Sequence, residues 1–126
     1  MVAHTFKRHT ISFKHAFDGL KTAFYNQPNF RFHCLIGLLV VLVGWYLELS
    51  STEWLVILFT IMWVMLAEMM NTVIESVVDL ITSEYHQQAK IAKDVAAGTV
   101  LMSAIASVVV GMVIFLPKIM RLIGLS

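Results

Sequence analysis

The stretch WLVILFTIMWVMLA, residues 54–67, decides the fold. It contains no charge, and residues of mixed character extend it to Ile81. A helix needs about 20 mainly apolar residues to cross a hydrocarbon core of roughly 30 Å. Two runs of the same kind flank it: Phe32 to Leu49, with Glu48 near its far end, and Val95 to Leu116. Of the 126 residues, 59% are hydrophobic and 13% charged, about half the charge of a typical soluble domain. A soluble all-α core with three such runs would lack the polar surface to cover itself. The length allows one domain, residues 1–126. The expected fold is therefore all-α and integral to the membrane, with spans near 32–49, 54–81 and 95–116.

The charges orient the spans. Lys and Arg in short loops favour the cytoplasm. Lys7, Arg8, Lys14, Lys21 and Arg31 precede the first span, and Lys90 and Lys93 stand between the second and third. Around Ser50, Ser51 and Thr52 there is no cation. The N-terminus and the second loop are expected inside, which leaves Lys118 and Arg121 outside as the exception. No signal peptide is visible in the basic N-terminal stretch. The lone cysteine, Cys34, excludes an internal disulfide. No GxxxxGK loop or dinucleotide fingerprint occurs, so any phosphate chemistry needs another architecture. Nucleic acid is not an expected partner.

Before the first span, Phe13, Phe17, Leu20 and Phe24 recur at helical spacing and form one apolar stripe, with Lys14, Asp18 and Lys21 on another face. This predicts an amphipathic surface helix over about 10–26, lying in the membrane interface. Asn26, Gln27, Pro28 and Asn29 should break it.

The informative residues lie on the second span. Glu68, Asn71, Glu75 and Asp79 stand at offsets of 0, 3, 7 and 11. At about 100° per residue they share a sector of roughly 80°. One central carboxylate costs about 2.5–3.5 kcal/mol on insertion scales, so intramembrane acids face a bundle interior and are paired, protonated or cation-bound. Hydrogen bonding between helices would need only Asn71 and Thr72; it does not account for three acids. A divalent-cation site with a general base does, since Mg²⁺ takes oxygen ligands, usually one or two carboxylates plus phosphate oxygens. A cation or proton conductor fits the seam as well. Glu68 is about 10 Å deeper than Glu75, at the depth of a lipid hydroxyl just below the headgroups.

Beyond the seam come Ser83, Glu84, Tyr85 and His86, then Lys90, Lys93 and Asp94, read as one compact polar loop. Beside an acidic seam it suits a nucleotide, with Lys93 on phosphates and Asp94 and Glu84 on metal or ribose. The third span is rich in small residues (Ala96, Ala97, Gly98, Ser103, Ala104), which permit close helix packing.

These segments together, EMMNTVIESVVD at 68–79, SEYH at 83–86 and AKDVAAG at 92–98, closely resemble the prokaryotic diacylglycerol kinase family, which includes the undecaprenol kinases. The resemblance runs from about Ser12 to Pro117. It implies a surface helix plus three transmembrane helices, a homotrimer with shared active sites, a bacterial inner-membrane location, and transfer of the γ-phosphoryl group of MgATP to a lipid hydroxyl. It implies Glu68 as catalytic base and Glu75 as metal ligand. Asn71, Asp79, Lys93 and Asp94 match polar site positions, with Lys93 on the ATP phosphates; Glu84 and His86 match positions near the nucleotide. Gln27 stands where the family commonly carries a second metal-binding Glu; its oxygen can ligate Mg²⁺ but brings no charge. An inactive homologue is the alternative this departure raises. The segments NFRFH at 29–33 and LSSTEW at 49–54 look more like the undecaprenol kinase branch than the enterobacterial diacylglycerol kinases. The expected acceptor is undecaprenol, with diacylglycerol as the alternative. Selectivity is expected from a groove between the surface helix and the spans, lined by Phe13, Phe17 and Phe24. The first span offers little beyond His33 and Cys34 at the depth of the seam, so water, nucleotide or another subunit is expected to satisfy it.

Overall fold

A computed structural model describes residues 13–125. The described chain forms four helices: α1 (Phe13–Asn26), α2 (Pro28–Tyr46), α3 (Ser51–Ile81) and α4 (Gln87–Leu122). The part of the expected surface helix before Phe13, with Lys7 and Arg8, lies outside the described residues.

A single residue separates α1 from α2. Gln27 is extended, at φ −108° and ψ 107°, as a residue before proline must be. Pro28 then opens α2, where its missing N–H costs nothing. The freed carbonyls at the end of α1 are taken up by Arg31, which donates to the carbonyl oxygens of Phe24 (3.2 Å) and Tyr25 (2.7 Å). A cation there also complements the helix dipole. Ala23 and Phe30 are buried at this elbow.

At the opposite end, α2 closes in a Schellman motif. The Leu49 N–H donates to the Gly44 carbonyl (3.1 Å) and the Glu48 N–H to that of Trp45 (3.3 Å). Glu48 takes the left-handed conformation, φ 50°, usually left to glycine. Ser50 then caps α3 in a capping box: its backbone N–H donates to Glu53 Oε2 (2.7 Å), and its hydroxyl accepts from the Glu53 N–H (3.4 Å). The same Glu53 carboxylate pairs with Lys118 at 3.1 Å. One of the two cations that break the charge rule is thereby neutralised by the start of α3.

The α3–α4 contact is the most extensive, followed by α2 on α3; α1 touches α2. The approach of α2 to α3 depends on two buried glycines. A Cβ at Gly37 would lie 3.1 Å from Ile61 Cγ2; at Gly44 it would lie 2.9 Å from Leu49 Cδ1 and 3.1 Å from the Trp54 ring. Replacing Gly37 or Gly44 by leucine should therefore push α2 off α3 and destabilise the fold by about 1–3 kcal/mol. Thermal unfolding in detergent would show it; an unchanged midpoint for both variants would mean the helices are not packed this closely.

Helices α2, α3 and α4 are each long and apolar enough to cross a membrane. Their outward faces are apolar and bare, as at Trp45 (78% exposed) and Leu80 (87%), far beyond what a monomer shows to water. On α1, Phe13 and Phe17 are 75% and 70% exposed, so the N-terminal half of that stripe does not pack on the rest of the chain. The spans' hydroxyls mostly turn back on their own helix, as Thr60, Thr72, Ser103 and Ser107 do; this satisfies them without a partner in lipid.

One sequence expectation changes here. Lys90, Lys93 and Asp94 are not in a loop. Only residues 82–86 connect the helices, and α4 begins at Gln87, eight residues before the expected span. His86 caps it, Nδ1 accepting the Gln88 N–H at 3.3 Å, and Lys90 and Asp94 pair one turn apart.

Candidate active site

The seam of α3 grades from buried to exposed. Glu68 is 3% exposed and Asn71 8%. Glu75 is half-buried and Asp79 exposed. All four stand on one face because their spacing follows the helical repeat, and the inner half of that face lies against neighbouring helices.

Glu68 faces α2. The side chains that bear on its carboxylate are His33 and Asn29, one turn apart on α2, and Glu75 along its own helix. The chain thus supplies more of the seam's surroundings than its sequence suggested. The signal for Asn29 and His33 was two polar residues at i and i+4, on one face of the first turns of α2.

Asn71 donates through Nδ2 to Glu75 Oε1 at 3.1 Å. Its Oδ1 is buried and accepts nothing, the one such side-chain atom among the described residues. A buried carbonyl oxygen without a donor costs roughly 1–3 kcal/mol. Such a cost is tolerated where a ligand or ion completes the group. The donor set, a carboxylate and an amide oxygen held together, is the hard-oxygen kind that suits Mg²⁺. No group of three or more His, Cys, Asp or Glu gathers anywhere among the described residues, so a cation here would need further oxygens, such as those of a phosphate chain.

One turn beyond Glu75 the seam opens into a polar pocket of about 460 Å³ between the end of α3, the connection and the start of α4. It brings together Asp79, Glu84, His86, Lys93 and Asp94. Lys93 pairs with Asp79 across the helices at 2.5 Å, and Lys90 pairs with Asp94. Both pairs are well exposed, the Lys93 and Asp79 side chains at 39% and 64%. Exposed pairs are worth only about 0–1 kcal/mol, so an incoming anion can take either lysine at little cost.

Gln27 sits half-buried in the α1–α2 connection and does not line this pocket. The groove between α1 and α3 exists, but Gly19, Thr22 and Ala23 line its α1 side, facing Met69, Thr72 and Ser76. Phe13, Phe17 and Phe24 do not: they project outward from the other face of α1. The stripe gave the apolar face of the helix, but not which face meets α3.

Known proteins place this arrangement. The chain is 44% identical over 113 residues to a diacylglycerol kinase of Synechocystis sp., covering 89% of this chain and 65% of that protein; it thus spans just under two thirds of that relative's length. It is 43% identical over 108 residues to the undecaprenol kinase of Bacillus subtilis, covering 86% and 88%. Against the diacylglycerol kinase of Escherichia coli K12 it is 34% identical over 95 residues, covering 75% and 78%. The family model described as prokaryotic diacylglycerol kinase matches residues 14–115, which take in the whole seam and the whole pocket, and the chain belongs to that family.

Proposed function

We propose that this chain is an ATP-dependent lipid kinase of the bacterial inner membrane. In this reading it works as a homotrimer and phosphorylates undecaprenol at the cytoplasmic face. The observation that carries the reading is the seam itself: a buried carboxylate, Glu68, at one end and a polar pocket with two weakly engaged lysines at the other.

Depth supports it. A helix the length of α3 rises roughly 46 Å, more than the roughly 30 Å of the hydrocarbon core. With Trp45 and Trp54 at the outer interface, where tryptophan concentrates, about three turns at the Ile81 end project into the headgroups and cytoplasm. Glu68 then lies just under the headgroups and the pocket lies in water. The α1 stripe, most open at Phe13 and Phe17, rests in the inner interface as an amphipathic helix.

The roles follow from position. Lys93 and Lys90 hold the phosphate chain of ATP in the pocket; Glu84 and His86 border the nucleotide. Glu68 accepts the proton of the lipid hydroxyl as its oxygen bonds the γ-phosphorus and the bond to the β,γ-bridging oxygen breaks, releasing ADP. His33 and Asn29 hold the carboxylate in place. Burial excludes water from the acceptor's position, which protects ATP from hydrolysis. Glu75 and Asn71, with Gln27 if α1 closes on α3, would hold Mg²⁺, which neutralises charge on the phosphoryl group in transit. Catalysis of this kind is mainly positioning and charge neutralisation, which the seam supplies without a glycine-rich phosphate loop.

Membership in a family of kinases displaces the conductor reading. The lipid rests on narrower ground. The Bacillus subtilis relative named for undecaprenol is matched over more of its length than the Synechocystis relative named for diacylglycerol, at nearly equal identity, and NFRFH at 29–33 resembles the undecaprenol branch. Diacylglycerol is the second reading, favoured by the Synechocystis match. Purified protein supplied with labelled ATP and both lipids at equal mole fraction in the same micelles should phosphorylate both, with the higher kcat/KM for undecaprenol. A preference for diacylglycerol would reverse the choice of lipid; no transfer to either would remove the kinase reading.

A further inference from the structure

Glu53 neutralises Lys118, but the other cation that breaks the charge rule, Arg121, forms no ion pair among the described residues. Neither does Glu48. Both line one cavity of about 470 Å³ between the C-terminal ends of α2 and α4, together with Tyr46, Leu47, Lys118 and Leu122. A carboxylate and a guanidinium thus share a cavity without closing on each other. Glu48 also holds its place against the backbone. It stands at φ 50°, a conformation that glycine adopts without strain and that usually ends a helix on glycine. The cavity lies at the end of the bundle opposite the polar pocket, since Lys118 pairs with the first turn of α3 and the polar pocket adjoins its last. Trp45 and Tyr46, both exposed, mark this level as an interface, where such rings sit among headgroups.

We infer that this cavity binds the phosphoethanolamine headgroup of a phospholipid in the leaflet opposite the seam. The lining is charge-balanced: Lys118 and Arg121 stand against Glu48 and Glu53. A balanced site suits a zwitterion better than an anion. Arg121 takes the phosphodiester, for which its planar fork is shaped. Glu48 takes the ammonium, and the negative ends of the α2 and α4 dipoles favour the same charge. Leu47 and Leu122 flank the cavity with apolar surface for the first carbons of the acyl chains. Phosphatidylglycerol brings the phosphate without the amine, so Glu48 would face like charge. Phosphatidylcholine brings a quaternary ammonium with no N–H to donate. The headgroup would also tie α2 to α4, whose main contacts both run through α3, and a ligand held only by the folded chain stabilises it by mass action. Only the name of the leaflet, outer, rests on the orientation proposed above.

The test uses the full chain purified in a non-ionic detergent, with the unfolding midpoint followed as lipid is added. Phosphatidylethanolamine should raise the midpoint. It should reach half its effect at a mole fraction about fivefold below that of phosphatidylcholine or phosphatidylglycerol with the same acyl chains, the upper end of what an exposed ion pair supplies. Glu48→Gln should erase that preference, and Glu48→Lys should turn it toward phosphatidylglycerol. Arg121→Gln should weaken all three lipids alike. Glu48→Gly separates binding from folding: it relieves the left-handed backbone, so it should raise the lipid-free midpoint and still lose the preference. Free O-phosphoethanolamine at the same concentration should leave the midpoint unmoved, since it has no acyl chains to hold it at the interface. Equal half-effects of the three lipids on the parent, a parent that prefers phosphatidylglycerol, or a preference that survives Glu48→Gln overturns the inference. A free headgroup that acts as strongly as the lipid does so too. So does a disulfide between subunits formed through Arg121→Cys, because a second copy then occupies the cavity. No phosphoryl transfer enters the readout, so this site and the kinase reading fail separately.

Discussion

Glu68→Gln is expected to lower turnover by 10²–10⁴-fold, the usual worth of a positioned general base, while the protein stays folded and assembled. The substitution keeps the volume and an oxygen that Asn29 can reach, but removes the basic carboxylate. The site is 3% exposed, and an ionised carboxylate is costly there, so the amide should leave thermal stability equal or higher. That opposite movement of stability and rate separates a catalytic carboxylate from a structural one. The measurement is kcat at saturating ATP and acceptor, beside the unfolding midpoint in the same detergent. Turnover within a few-fold of the parent would take Glu68 out of the chemistry; a lost rate with a collapsed midpoint would make it a structural residue.

Three features of the fold were open to reading because each rests on a local rule. The apolar runs mark the spans, since lipid accepts only backbone that satisfies itself. Pro28 marks the elbow; the capping box of Ser50 with Glu53 follows an equally local rule, though the apolar run that marks this span begins three residues later, at Trp54. The seam was legible for the same reason: offsets of 3, 7 and 11 put Glu68, Asn71, Glu75 and Asp79 on one face whatever surrounds them. What surrounds them was not legible. That Asn29 and His33 bear on Glu68, or that Lys93 crosses to Asp79, depends on how the helices rotate against one another, which no single helix encodes. The glycines at 37 and 44 decide the α2–α3 approach, yet look like any glycine in a span. Polar composition masked the start of α4, because charged residues in the first turns of a helix resemble a loop until a cap such as His86 and a one-turn pair such as Lys90 with Asp94 are recognised. The α1 stripe misled in a related way. Phe13, Phe17 and Phe24 are the apolar face of that helix, and the small residues Gly19 and Ala23 on another face approach α3, because close approach favours small side chains while bulk is left for lipid.

The metal side of the site gives the second large effect. Glu75→Ala is expected to cut activity by more than 10²-fold at physiological Mg²⁺. The change removes the one half-buried carboxylate near Asn71, and it also frees the Asn71 amide, whose Nδ2 is held by Glu75 Oε1. With both Asn71 polar groups then orphaned, part of the loss should persist at high Mg²⁺. Gln27→Glu is the opposite change. At an effective dielectric near 20, a charge about 4 Å from a cation is worth several kcal/mol before desolvation, so even a partly screened Glu should lower the Mg²⁺ concentration for half-maximal activity by about tenfold. Both variants can be read without turnover, by titrating Mn²⁺ as a paramagnetic stand-in in the presence of a non-hydrolysable nucleotide. Glu75→Ala should weaken Mn²⁺ binding, and Gln27→Glu should tighten it. A Gln27→Glu titration that overlays the parent's would place Gln27 outside the metal shell and leave Glu75 and Asn71 as the chain's whole contribution. A Glu75→Ala titration that overlays the parent's would mean that the orphaned oxygen of Asn71 is completed by something other than a cation, such as the acceptor hydroxyl itself.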